Sequence, residues 1–100
     1  VVFLGFAMDI GKGYEGYILP RSSTFKNTGL LLTNSMGLVD DSYNGDNDEW
    51  LAMFYATTYG AFKIGDRLVQ ISIKKSTVVD MEDVAQLGNP DRGGYGTTNK

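Results

Sequence analysis

Apolar residues in this chain fall in short runs, divided by clusters of Gly, Asn, Asp, Ser and Pro, and no stretch holds a clear helical period. Residues 1–8 predict a buried strand, and Asp9-Ile10-Gly11-Lys12-Gly13 a glycine-rich turn. Residues 14–19 predict a second strand with Gly16 inside it. Residues 20–28 break the pattern and accommodate a short helical turn. Residues 29–33 predict a third strand, after which Asn34-Ser35 turns the chain. Gly37-Leu38-Val39-Asp40-Asp41-Ser42-Tyr43-Asn44-Gly45 reads as a loop, extended by the acidic Asp46-Asn47-Asp48-Glu49. Residues 50–57 predict one longer strand, apolar and aromatic on both faces, which should be covered on both sides. Residues 58–65 form a turn. From Arg67 to Ile73 the pattern alternates, with Leu68, Gln70 and Ser72 on one face and Val69, Ile71 and Ile73 on the other. Residues 74–86 are weaker, with one helical turn expected over residues 81–87. Many short strands with no long helix predict an all-β sandwich or jelly roll. The expected organisation is a β domain over residues 1–87 and a mobile glycine-rich arm over residues 88–100.

Composition narrows the chemistry. The chain has 100 residues, 42% hydrophobic and 21% charged, which fits one small globular domain. A monomer of this size buries only about 60–65% of its unfolded surface, so its core is thin and an oligomer would relieve it. The net charge of -3 argues against a nucleic-acid partner, which calls for a basic face. There is no Cys and no His. Thiolate chemistry is excluded, a general base is expected to be Asp or Glu, and any metal is expected to be a hard, oxygen-bound ion such as Mg²⁺. No apolar run approaches the ~20 residues of a membrane span, and no signal-peptide pattern is present, so a cytoplasmic protein without a membrane partner is expected. The chain opens on Val1 and runs directly into Val2-Phe3-Leu4. That start is expected to be a truncation.

Taken singly, the candidate sites are weak. Gly11-Lys12-Gly13 lacks the spacing of a phosphate loop and reads as a hairpin turn. Asp40, Ser42 and Asn44 alternate as in a calcium loop, but Leu51 stands where a bidentate Glu is required, and strands flank the segment. By itself the segment is a solvated acidic turn. Arg21 with Ser22 and Ser23 offers donors suited to phosphate oxygens, as many surface loops do. Arg67-Leu68-Val69-Gln70 alone is part of a strand. In Arg92-Gly93-Gly94-Tyr95-Gly96-Thr97-Thr98, glycines can turn successive N–H groups toward one anion and Tyr95 can stack on a base; the alternative is a disordered terminus.

In chain order, however, these segments resemble the motifs of the trimeric dUTP pyrophosphatases (dUTPases). Gly13-Tyr14-Glu15-Gly16 leading to Pro20-Arg21-Ser22-Ser23 is similar to the family's second motif with its approach strand. Residues 34–45 resemble the third, residues 65–70 the fourth and residues 93–98 the fifth. Asp46-Asn47-Asp48-Glu49-Trp50 resembles the subgroup of Gram-positive bacteria and their phages. The resemblance implies a jelly-roll subunit, a homotrimer with shared sites, and hydrolysis of dUTP to dUMP and pyrophosphate. That activity would limit uracil in DNA and supply dUMP. It implies Asp40 as the base that activates a water, and Tyr43 as the floor under the deoxyribose that excludes a 2′-hydroxyl. Asn34, Gly37, Leu38 and Val39 would read uracil. Arg21, Ser22, Ser23, Gln70 and Arg92 would bind phosphates. Tyr95 would stack on the base, with Gly94, Gly96, Thr97 and Thr98 around the γ-phosphate. Mg²⁺ would be held mainly by the triphosphate, with no protein ligand.

The chain also departs from the family pattern. The first motif, Ala-Gly-x-Asp-Leu, is expected to be missing, because Ala7-Met8-Asp9-Ile10 imitates it but directly precedes the second motif's approach. Ser23 replaces a frequent Gly, Asn44 a common Arg, Asp46 a common Glu, Tyr95 a Phe, Thr97 a Ser and Asn99 a Gly. Arg92 directly precedes Gly93, one register from the longer Arg-Gly form. The missing first motif motivates a second reading, a non-catalytic dUTPase-like nucleotide sensor. A third is a relative of dCTP deaminase on the same fold, which would need neither the Gly-Gly-aromatic-Gly arm in this form nor Tyr43 in this place.

Overall fold

A computed structural model describes residues 1–60, 62–94 and 96. The chain order is β1 (Val2–Ala7), β2 (Tyr14–Pro20), α1 (Thr24–Thr28), β3 (Leu30–Leu32), β4 (Gly37–Val39), β5 (Glu49–Ala52), β6 (Phe54–Ala56) and β7 (Val69–Lys75). All pairings are antiparallel, in three small sheets: β1-β5, β4-β2-β7 and β3-β6. The architecture is nearly all-β. No helix among the described residues is long and apolar enough to cross a membrane.

β2 is the central strand because its alternation gives it one inward face. Gly16 and Ile18 are buried there. Trp50, on β5, packs against Gly16 so closely that a Cβ at Gly16 would lie 2.5 Å from Trp50 Cη2. Ile18, Trp50 and Ala52 form the buried nucleus, with Leu4, Phe6, Val39, Val69 and Ile71 packed around it. Phe6 meets the indole with ring centroids 5.5 Å apart, a favourable tilted aromatic contact. The molecule is flat, 54 × 38 × 17 Å, with a radius of gyration of 18.9 Å, against about 13 Å for a compact chain of this length. The core is correspondingly thin, and Phe3, Tyr55 and Met81 are exposed.

β1 bulges between Phe3↔Leu51 and Ala7↔Glu49. Gly5 takes φ +86° inside the bulge, where an L side chain would be strained. Its N–H leaves the ladder and donates to Glu49 Oε2 at 2.9 Å. The short helix is held by Thr24, whose hydroxyl accepts the Arg21 N–H at 2.9 Å and donates to Leu68 O at 2.7 Å. Gly29 ends it with φ 69°.

Three local expectations are corrected. Gly37–Val39 is a strand, not part of a loop: it pairs with β2 through Gly16↔Val39 and Ile18↔Gly37. Its three residues are too few to show a period, and the partner edge decides its state. The single strand expected over residues 50–57 is two strands. β5 pairs with β1 and β6 pairs with β3, and Met53 between them accepts the Thr33 N–H at 2.9 Å. Nor is it covered on both faces, since Tyr55 is 65% exposed. Residues 81–87 hold no helical turn. Met81 and Leu87 are exposed, and one helical turn without a packed face does not repay its nucleation cost.

Candidate active site

Asp40 follows β4 directly and lines a cleft of about 310 Å³, at the small end of the range for ligand sites. Its walls include Asn34, Gly37, Leu38, Val39, Ser42 and Tyr43, with Ile18 and residues 49–53 behind them. The turn that delivers β4 is tight. Asn34 O accepts the Met36 N–H at 2.6 Å, and Ser35 is left-handed at φ 63°.

Asp40 forms an Asx turn with Ser42. Its Oδ1 accepts the Ser42 N–H at 2.8 Å and also the Ser42 hydroxyl. The hydroxyl, then the backbone N–H, hold the Asp40 carboxyl below its ordinary range; slight burial opposes them and the Tyr43 N–H adds a smaller lowering. Asp40, an anion at neutral pH like any carboxylate of ordinary pKa, thus stays charged to lower pH. Its Oδ2 accepts no hydrogen bond among the described residues, so one carboxylate oxygen is committed to the turn and the other is available.

Tyr43 is anchored on the opposite side, where its Oη donates to Glu49 O at 2.8 Å. Gly45 N donates to Asp48 Oδ2 at 2.9 Å and Asn44 Nδ2 to Asp41 O at 3.1 Å, closing the loop on itself. The acidic extension thus has a structural task. Among the described residues no group of three or more acidic side chains could hold a metal ion.

The phosphate-type residues lie elsewhere. Pro20 pairs with Val69 across β2 and β7, which brings the residues beyond both strand ends together. Gln70 Nε2 donates to Pro20 O at 3.0 Å, and Arg21 Nη1 donates to Arg67 O at 3.3 Å. Ser22 and Ser23 follow Arg21 at the start of α1. Arg21 and Arg67 line a second cavity of about 620 Å³, walled by β1, residues 62–69 and Ile71. The two cavities share no residue.

Asp40, Tyr43, Asn34, Gly37, Leu38 and Val39 are thus brought together, and Arg21 and Gln70 form a separate group. Arg92 Nε donates to Gly93 O at 3.0 Å and lines neither cavity. Gly94 is half-buried, and Gly96 is exposed at φ 97°. Tyr95, Thr97 and Thr98 lie outside the described residues. Ser42 was missed as a site residue, although Asp-x-Ser is a legible Asx-turn signal. Trp50 and Glu49 were missed too, and nothing local marks them as cleft residues.

No protein-family model matches the chain. Among curated proteins, it is 52% identical over 99 residues to the SPbeta prophage-derived deoxyuridine 5'-triphosphate nucleotidohydrolase YosS of Bacillus subtilis, covering 98% of this chain and 70% of that protein. It is 33% identical over 102 residues to the deoxyuridine 5'-triphosphate nucleotidohydrolase of Corynebacterium glutamicum, covering 100% of this chain and 68% of the relative. Among solved structures, the dUTPase from Streptococcus mutans superposes with a TM-score of 0.65 at 25% identity, over 75% of this chain and 62% of that one. The chain therefore spans only part of the length of these relatives, and the superposition agrees with the all-β, jelly-roll expectation. Identity of this extent, matched by the fold, makes the chain a member of the deoxyuridine 5'-triphosphate nucleotidohydrolase (dUTPase) family.

Proposed function

We propose that this protein hydrolyses dUTP to dUMP and pyrophosphate. The observation that carries this is Asp40: a carboxylate whose pKa Ser42 lowers, with Oδ2 free, at a cleft lined by an anchored tyrosine. In this reading Oδ2 orients a water and takes its proton as the water oxygen attacks the α-phosphorus. The new P–O bond forms as the bond to the α,β-bridging oxygen breaks, and pyrophosphate leaves. A base of lowered pKa is a weak proton acceptor, so positioning and charge stabilisation supply most of the rate.

β4 is an edge strand, and one row of its backbone groups takes no partner strand. That row, beside Asn34, suits a uracil edge, and a slot of fixed donors and acceptors rejects cytosine, whose pattern is reversed. The fixed ring of Tyr43 suits the deoxyribose and leaves no room for a 2′-hydroxyl.

Phosphate binding by Arg21, Ser22, Ser23 and Gln70 requires a second copy of the chain, since these residues stand apart from the Asp40 cleft. A homotrimer with shared sites answers this, and it would cover part of the exposed apolar surface. Residues 88–100 would form an arm that closes the site, bringing Arg92, Gly94 and Gly96, with Tyr95, Thr97 and Thr98, to the nucleotide. Mg²⁺ would arrive on the triphosphate, because it keeps waters and binds phosphate oxygens readily; the described side chains do not form a site for it, and no step here runs through a protein-bound ion.

The test is product analysis with purified protein, dUTP and Mg²⁺. Equimolar dUMP and pyrophosphate support the proposal. Binding of a non-hydrolysable dUTP analogue without turnover of dUTP supports a sensor instead, and ammonia from dCTP supports a deaminase.

A further inference from the structure

The loop that carries Asp40 is tied to the central strand by one side chain. Asp41 Oδ2 accepts the Gly13 N–H at 2.7 Å, across 28 residues of sequence. Gly13 stands just before β2 at φ +88°, a conformation that favours glycine. Its carbonyl accepts the Ser76 N–H at 2.8 Å, just beyond β7. Gly13 therefore joins the exits of β4 and β7 to the start of β2. The β4–β2 ladder ends at Gly16↔Val39. Beyond Val39, Asp41 ties the loop to the β2 side, while Tyr43 ties it to β5. Asp40 lies between the end of the ladder at Val39 and the first of these anchors, Asp41.

We propose that Asp41 is a positioning residue for Asp40: its carboxylate, by accepting the Gly13 N–H, fixes the direction in which Asp40 faces the cleft. It transfers no proton and touches no substrate. The bond is charge-assisted and short, and so of the stronger kind. A reactive group displaced by about 1 Å loses on the order of 100-fold in rate, so a loop left with one anchor slows the reaction more than it weakens binding. This inference rests on the hydrolase reading above.

The test is steady-state dUTP hydrolysis by the wild type, Asp41→Ala and Asp41→Asn, each checked by thermal melting. The Ala variant is expected to lose about 10- to 100-fold in kcat with KM within about twofold, since a positioning defect is felt in the transition state. Asp41→Asn keeps an acceptor oxygen and is expected to return to within about threefold of wild type. Wild-type kcat in Asp41→Ala overturns the proposal. So does an Asn variant that melts like the wild type yet is as slow as Ala. Should Asp41→Ala fail to fold, hydrogen exchange at the Gly13 amide of the wild type decides: protection supports the tether and open-chain exchange overturns it. A wild type that releases no pyrophosphate removes the hydrolase reading and this inference with it. An active wild type with an unimpaired Asp41→Ala removes this inference alone.

Discussion

Tyr43 Oη donates to the backbone carbonyl of Glu49 at 2.8 Å, and that bond fastens the ring beside Asp40 to the first residue of β5. Removing it frees the ring without changing its shape. One neutral hydrogen bond is worth roughly 0.5–1.5 kcal/mol. Tyr43→Phe is therefore expected to lower the preference for dUTP over UTP by roughly 3- to 10-fold, read as the ratio of kcat/KM for the two nucleotides, with little change in melting temperature.

Ser42 sets the ionisation of Asp40. Its hydroxyl and N–H bind the charged form, so the folded pKa lies below the unfolded one. Such a group adds stability that is present above the unfolded pKa and is lost as pH falls through the folded pKa. Ser42→Ala removes the larger of the two contacts, and the Asp40 pKa should rise. The acid limb of the rate profile should then move to higher pH, and NMR titration of the Asp40 carboxyl should move with it. An unshifted limb would show that Asp40 does not govern it.

Gly16 is demanded by Trp50. An added methyl would stand 2.5 Å from Trp50 Cη2 and 3.2 Å from Cζ3, and the indole is 1% exposed with no room to retreat. Overpacking of this kind costs about 1–3 kcal/mol. Gly16→Ala should lose that much in urea unfolding, and Trp50, the single tryptophan, reports it directly by fluorescence.

Thr24 links the phosphate-type group to the sheet. Its buried hydroxyl serves both Arg21 N and Leu68 O. Thr24→Val leaves buried polar groups unpaired, at about 1–3 kcal/mol. It should raise KM for dUTP more than it lowers kcat, because Arg21 is disturbed while Asp40 is not.

The positions of β1, β2 and β7 were legible in the sequence as apolar runs between turns, but the burial expected over residues 1–8 is not found: β1 exposes every second residue, Phe3 among them. β4 was not legible, because three residues carry no period and its state depends on the free edge of β2. The division at Met53 was equally hidden, since β5 and β6 differ only in which distant strand each one joins. Within the site, Asp40 and Tyr43 stood out as a carboxylate and a ring in one short segment. The Asp41–Gly13 bond did not, because a contact spanning 28 residues leaves no local mark. The separation of Arg21 from Asp40 was implied only by the family resemblance, and here it appears as two cavities with no residue in common, Gln70 lining neither.

The central claim concerns Asp40, and pyrophosphate release from dUTP by wild type and Asp40→Asn tests it most directly. A positioned base contributes about 10²- to 10⁴-fold, so the Asn variant should lose at least that factor while still binding a non-hydrolysable dUTP analogue. Turnover by Asp40→Asn at the wild-type rate would contradict the account.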